Sequence, residues 1–146
     1  MDILSISIIL FIIMELSNVI ILYFKPEFKY GNGISVFKFY EESKKDEASH
    51  LFVKYMTNWV AGTKLIFILL LAVILFLGDE QLKIYAVIVM IISISTYYFR
   101  LRPIINKLDS FGKIKPVGYS KNLTRMITGF MLMFTICLIA WLILNI

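Results

Sequence analysis

Glu15 is the one acidic residue inside the apolar runs of this chain, and Lys64 is the one lysine set deep within them. A carboxylate persists in hydrocarbon only if it is paired, protonated or turned toward a wet cavity. Three chemistries follow for Glu15. It can form an ion pair that fixes helix packing, or exchange protons as a carboxyl whose charged form burial penalises, or accept a bond from the amine or hydroxyl of a bound ligand or lipid. Asn18 lies one turn away on the same helix face. At 1.5 Å per residue, Glu15 stands roughly 13 Å and Lys64 roughly 8 Å from the boundary of their runs, and a lysine stem spans the difference.

Other polar residues fall in the same half of the apolar runs. Lys64 shares a face with Thr57 and Ala61, and Asn58 stands beside it. Ser93, Thr96 and Arg100 recur at i, i+3 and i+7, one stripe of a helix. Thr124, Thr128 and Thr135 lie near one stripe of the last run, with Arg125 at its start. Polar groups in membrane helices face neighbours rather than lipid. The expectation is one shared pocket around Glu15, Asn18, Asn58, Lys64, Ser93, Thr96, Arg100 and Thr128.

Nothing in the sequence assigns a catalytic residue. There is no Walker loop, nucleophile elbow, zinc motif or dinucleotide fingerprint, and the Gly31-Asn32-Gly33 turn lacks the strand and helix that a phosphate cradle requires. His50 has no Cys, Asp or Glu at ligand spacing, so it reads as solvated or interfacial and no metal site is expected. Cys137, the only cysteine, reads as apolar filler. Asn122-Leu123-Thr124 fits a glycosylation sequon but abuts an apolar run and is discounted. No cofactor is implied.

The elements that must position these residues are four apolar runs, about residues 3–24, 58–77, 82–100 and 123–144. About 20 residues cross a 30 Å hydrocarbon slab as a helix, and runs of this length without alternation are helices rather than barrel strands. The expected fold is an all-α membrane protein: a four-transmembrane-helix bundle, one integral membrane domain over residues 1–146. A share of 60% hydrophobic residues with mean hydropathy +0.83 agrees, because a soluble domain of 146 residues could not bury that much apolar surface. Met1-Asp2 supplies no basic region ahead of the first run, so that run is expected to stay in the mature chain rather than serve as a cleaved leader.

Charge sets direction. Thirteen Lys and Arg residues lie in the two long connections, from Lys25 to Lys54 and from Arg100 to Arg125, against Lys83 alone on the other side. By the positive-inside rule both long loops are cytoplasmic and both termini extracytoplasmic. The net charge of +5 is therefore topology rather than nucleic-acid binding. Tyr23, Tyr55, Trp59, Tyr97, Tyr98 and Tyr119 gather at the inner boundary, with Phe76, Tyr85 and Trp141 at the outer one. Ile34, Phe37 and Tyr40, and later Ile104, Ile105, Leu108 and Phe111, have the spacing of short amphipathic interfacial helices. A further helix from about Asp46 is expected to run into the second span, Gly78 to end that span, and Ser120 to cap the fourth. Basic residues at this density also attract anionic lipid head groups. High Ile and Lys with only three Arg suggests an AT-rich bacterial genome, and the expected location is the plasma membrane.

Met14-Glu15-Leu16-Ser17-Asn18 resembles the first helix of the small multidrug resistance transporters, whose essential glutamate is similarly placed. That resemblance implies a proton-coupled carrier using Glu15. It covers this helix alone; the long basic loops depart from the family's compact pattern. The layout of four spans with basic loops is similar to the membrane-associated eicosanoid and glutathione metabolism family, which implies an enzyme acting on a lipophilic substrate, with no residues carried over. The leading expectation is a non-enzymatic binding or partner-subunit role using the polar pocket, with transport and lipophilic-substrate catalysis as the alternatives. The seam Thr124, Thr128, Met131 and Thr135 packs either inside the bundle or against another copy or membrane partner, and both stay open.

Overall fold

The computed structural model describes residues 2–28 and 33–145; Lys29 and the Gly31-Asn32 turn fall outside the described residues. The chain is helical throughout, in the order α1 (Ile3–Phe24), α2 (Lys38–Ser43), α3 (Glu47–Leu77), α4 (Glu80–Ser110) and α5 (Tyr119–Asn145), with a 3-10 turn at Ile34–Val36. α1, α3, α4 and α5 are each long and apolar enough to cross a bilayer. Their outward faces carry exposed Ile66, Leu70, Val73, Ile92 and Ile136. A surface of that kind is stable against lipid tails and not against water.

α1 is the central helix, packed on α3, α4 and α5, while α4 and α5 pair closely with each other. The core between them is apolar: Leu4, Ile8, Phe11, Leu71, Val87, Met90, Phe130 and Phe134 form one buried cluster. Phe11 meets the rings of Phe130 and Phe134 at centroid distances of 5.1 and 5.4 Å, the first edge-on, the geometry the ring quadrupoles favour. Lipid tails are as apolar as leucine, so what stabilises this core is close packing rather than removal from water.

Caps set the ends. Asp2 starts α1 by accepting bonds from the Ser5 N–H and hydroxyl, both at 2.7 Å, and pairs with Lys83 of α4 at 3.3 Å. Asp46 caps α3 through the Ser49 N–H, and Asp79 caps α4 through the Leu82 N–H. Gly78 ends α3 in extended backbone (φ −77°) rather than the left-handed form. Glycine is needed there because a Cβ would run into the Ile74 carbonyl. Ser120 does not cap α5 with its own side chain. Its N–H and hydroxyl both donate to the Asp109 carboxylate, so a residue of α4 closes the first turn of α5.

The segment expected to form a separate amphipathic helix around Ile104 to Phe111 instead continues α4 through Pro103 to Ser110. Proline inside a helix removes one backbone bond, and the loss is offset because Ile105 enters a second core with Val36, Tyr97, Ile114, Tyr119 and Leu123. At the same place the two basic connections are tied together. Lys38 N–H donates to the Lys113 carbonyl at 2.9 Å, Lys115 N–H to the Val36 carbonyl at 2.8 Å, and Lys113 pairs with Glu42 at 2.9 Å. Residues 114–118 are not linker but part of a small folded cap on the basic end of the bundle.

Two outcomes are expected. Burial alone would raise the Asp2 carboxyl, but the bonds from Ser5 and Lys83 outweigh it and hold the pKa down at about 2, against an ordinary 3.8. A depressed carboxylate stabilises the fold fully above its ordinary pKa, and the contribution disappears as pH falls through about 2. Asp2→Ala should therefore cost about 1 kcal/mol at neutral pH, and thermal melts of the two proteins in detergent should converge below about pH 2. Ile114, 2% exposed, anchors the cap. Ile114→Ala should cost about 2 kcal/mol or more, read as faster limited proteolysis of residues 25–46 and 111–118 with the helical circular dichroism of the spans unchanged.

Candidate functional site

The site forms where α1 and α3 cross. Val19, Leu22, Ala61 and Ile68 are buried together there, and Ala61, fully buried, lets the two backbones approach closely. On the same stretch the Lys64 ammonium lies 2.6 Å from Glu15 Oε2 and 2.9 Å from Asn18 Oδ1. Both charged side chains are about one-fifth exposed, Lys64 at 23% and Glu15 at 20%. An ammonium has three donors and a carboxylate has roughly four acceptor positions, so the arrangement leaves bonding capacity on both partners. Tyr23 lies five residues past Asn18 toward the basic end, its hydroxyl 3.3 Å from where a Gly62 Cβ would stand.

Lys64 is also where two apolar grooves meet. One, of about 300 Å³, runs between α3 and the start of the cap, lined by Leu22, Ile34, Phe37, Phe52, Val53, Met56 and Val60 with Lys64 at one end. The other is shallower and lies on the lipid-facing side of α3 among Met56, Trp59, Thr63 and Phe67. Both are mostly hydrocarbon apart from the lysine and one threonine each, Thr57 and Thr63, whose hydroxyls donate to carbonyls of their own helix.

The other residues expected in this pocket lie elsewhere. Asn58 is exposed and lines a smaller cavity, about 170 Å³, with Tyr23, Tyr40, His50 and Lys54. His50 is half-buried there, its Nδ1 3.2 Å from the Ser43 hydroxyl and its ring against Tyr40. Thr128 belongs to the α4–α5 seam: its hydroxyl is 2.6 Å from the Tyr98 hydroxyl, one turn from a matching Tyr97–Thr124 contact of 2.9 Å. Ser93, Thr96 and Arg100 are exposed on the outer face of α4, and the Thr96 hydroxyl donates to the Ser93 carbonyl of its own helix. The eight residues therefore divide into a charged triad, a tyrosine–threonine seam, a small cavity at Asn58 and an outward stripe, rather than forming one pocket.

Sequence reasoning placed Tyr97 and Tyr98 in an interfacial belt and missed their part in the seam. The signal was available in the pairing of two adjacent tyrosines with threonines one turn apart at the same end of the next span. Among the described residues no group of three or more His, Cys, Asp or Glu side chains is arranged to hold a metal ion. Comparison with protein-family models, with curated proteins and with solved structures found no match.

Removing one member of a desolvated ion pair strands the other charge, which typically costs about 3–5 kcal/mol, whereas replacing both with apolar residues is far milder. Glu15→Leu and Lys64→Met should each lower stability strongly, and the double variant should recover most of the loss. A double-mutant cycle on unfolding in mixed micelles gives the coupling. Additive losses would show that the two charges do not stabilise each other.

Proposed function

We propose that the chain is a non-enzymatic membrane protein that binds a single-chain amphiphile in the groove along α3, either alone or as a subunit of a larger assembly. The observation that carries this reading is the position of Lys64. Lys64, held by Glu15 and Asn18 and with hydrogen-bonding capacity to spare, stands at one end of a groove whose remaining lining is apolar apart from Thr57. Small-ligand sites have this form, mostly hydrocarbon with a few polar groups that fix orientation, and about 300 Å³ is at the lower end of their range. The matching ligand has one flexible apolar chain and one neutral hydrogen-bonding end, a hydroxyl or an amide. A net anion at that depth would compete with Glu15 for Lys64.

In this proposal the basic end faces the cytoplasm, both termini lie outside, and the helix α2 with the preceding turn rests at the inner interface, its Ile34 and Phe37 directed to the groove. Binding is favoured over passage through the protein because the aliphatic and aromatic cluster from Leu4 to Phe134 closes the bundle beyond Glu15. Alternating access of Glu15 would have to open that cluster.

Photolabelling tests the reading. A long-chain fatty alcohol carrying a diazirine should label residues 52–64 of the purified protein. Val60→Trp, which fills the groove, should cut that labelling by about an order of magnitude, since a site of the smallest ligand class has no room to spare. Uniform labelling along lipid-facing Ile66, Leu70 and Val73, unchanged in Val60→Trp, would overturn the proposal. Proton-driven solute uptake into proteoliposomes that is abolished by Glu15→Gln would establish the carrier reading instead.

A further inference from the structure

α4 is 31 residues long, about 46 Å at helical rise, whereas a hydrocarbon slab is about 30 Å thick. Its apolar stretch ends at Phe99, so Arg100 to Ser110 carry the helix into the head-group layer. There, between the end of α4 and the start of α5, an open concavity of about 670 Å³ is lined by Arg102, Asn106, Asp109, Ser110, Lys121 and Arg125. It takes in two of the three arginines of the chain.

The charge of this concavity is only partly compensated, three cations facing one carboxylate. Among the described residues none of Arg102, Lys121 and Arg125 has a carboxylate partner, although acids are available at the same end of the bundle. Three of those acids are committed elsewhere. Glu27 and Glu41 hold Lys44, and Glu42 holds Lys113. The only acid in the lining, Asp109, is occupied by the N–H and hydroxyl of Ser120. The Arg102 guanidinium rests 5.9 Å from the centre of the Tyr98 ring, which limits its freedom. Guanidinium forks match phosphate oxygens in a way that lysine does not. On the membrane side, Phe99 precedes Arg102 by one turn and is 80% exposed, and Leu101 and Ile104 are exposed beside it.

We propose that the α4–α5 concavity is a binding site for the head group of an anionic phospholipid, with Arg102, Lys121 and Arg125 on the phosphate and Phe99 against the acyl chain. Three cations and one engaged acid favour a head group with two phosphates over one with a single charge. This site is separate from the groove at Lys64 and does not depend on the reading given to it.

The test uses the full chain in mild detergent, with cardiolipin, phosphatidylglycerol and phosphatidylcholine as probes and bound lipid counted by native mass spectrometry. The site variant is Arg102→Gln/Lys121→Gln/Arg125→Gln. The control, Lys38→Gln/Lys45→Gln/Lys54→Gln, removes equal charge from the same end of the molecule. Each basic residue near an anionic surface contributes roughly fivefold, so the site variant should lose about a hundredfold in cardiolipin retention while the control stays within about twofold. Wild type should retain lipid in the order cardiolipin, phosphatidylglycerol, phosphatidylcholine. If the triple variant loses helical circular dichroism, Arg102→Gln and Arg125→Gln measured singly should each show about a fivefold loss. Equal losses in site and control variants would mean diffuse attraction and overturn the proposal, as would no loss in either. Displacement of cardiolipin by millimolar inorganic phosphate, or by an acidic peptide at lower concentration than lipid, would assign the concavity to a soluble anion or a protein partner and equally overturn it.

Discussion

A charge in hydrocarbon must find its partner at the same depth, and this requirement sets how α1 and α3 lie against each other. Glu15 and Lys64 are 49 positions apart and reach one another at 2.6 Å only if the two helices cross near Ala61 in a single register. Sliding one helix by a turn, about 5.4 Å, would strand both ions. Non-directional packing of aliphatics gives no comparable penalty, since lipid tails substitute well for a neighbouring leucine. The pair therefore specifies an arrangement that the core cluster then fills. Once α1 is fixed to α3, the paired helices α4 and α5 close on its remaining face through Phe11, Phe130 and Phe134.

Hydroxyl groups behave differently, and this explains where reading the sequence succeeded and where it overreached. A serine or threonine inside a helix can donate to the carbonyl three or four residues back and so needs nothing from a neighbouring helix. Ser7, Ser17, Thr57, Thr63, Ser95 and Thr96 all do so. A stripe such as Ser93, Thr96 and Arg100 thus carries no information about which face is inward, whereas Glu15 and Lys64 do. The four long apolar helices and the contact between the two charges were legible from run length and depth. The shared pocket was not, because it counted self-satisfied hydroxyls as if they required partners. Thr124 and Thr128 show the intermediate case: each donates to its own helix and still accepts or shares a proton with a tyrosine of α4.

The basic connections illustrate a second limit of local reading. Tyr23-Phe24-Lys25-Pro26 and Tyr98-Phe99-Arg100, with Pro103 beyond, look alike, yet the first ends α1 and the second lies inside α4. Lys25, immediately before a proline, is pushed out of the helical region and adopts φ −139°. Arg102 faces the same steric preference and stays helical, because the next turn delivers Ile105 to Val36, Ile114 and Tyr119. Those partners come from both connections, one of them 69 residues earlier by number, so no window of local sequence contains the deciding term. Asp109 closing the first turn of α5 is another contact of this kind.

The folded cap also decides how charge is distributed at the basic end. By tying Lys113 to Glu42 and Lys44 to Glu27 and Glu41, it engages three acids of the first connection with lysines close to them. Lys44 in turn holds the Glu27 carboxyl below its ordinary range. Arg102, Lys121 and Arg125, which have no carboxylate partner among the described residues, line one concavity between α4 and α5. Positive-inside bias alone asks only for a count of lysines and arginines near the membrane. It does not ask for acids to be drawn to one side, nor for guanidinium groups to be gathered in a concavity with an exposed phenylalanine one turn toward the hydrocarbon. In the proposed lipid site the grouping of charge, more than its sum, would distinguish a recognition surface from an anchor.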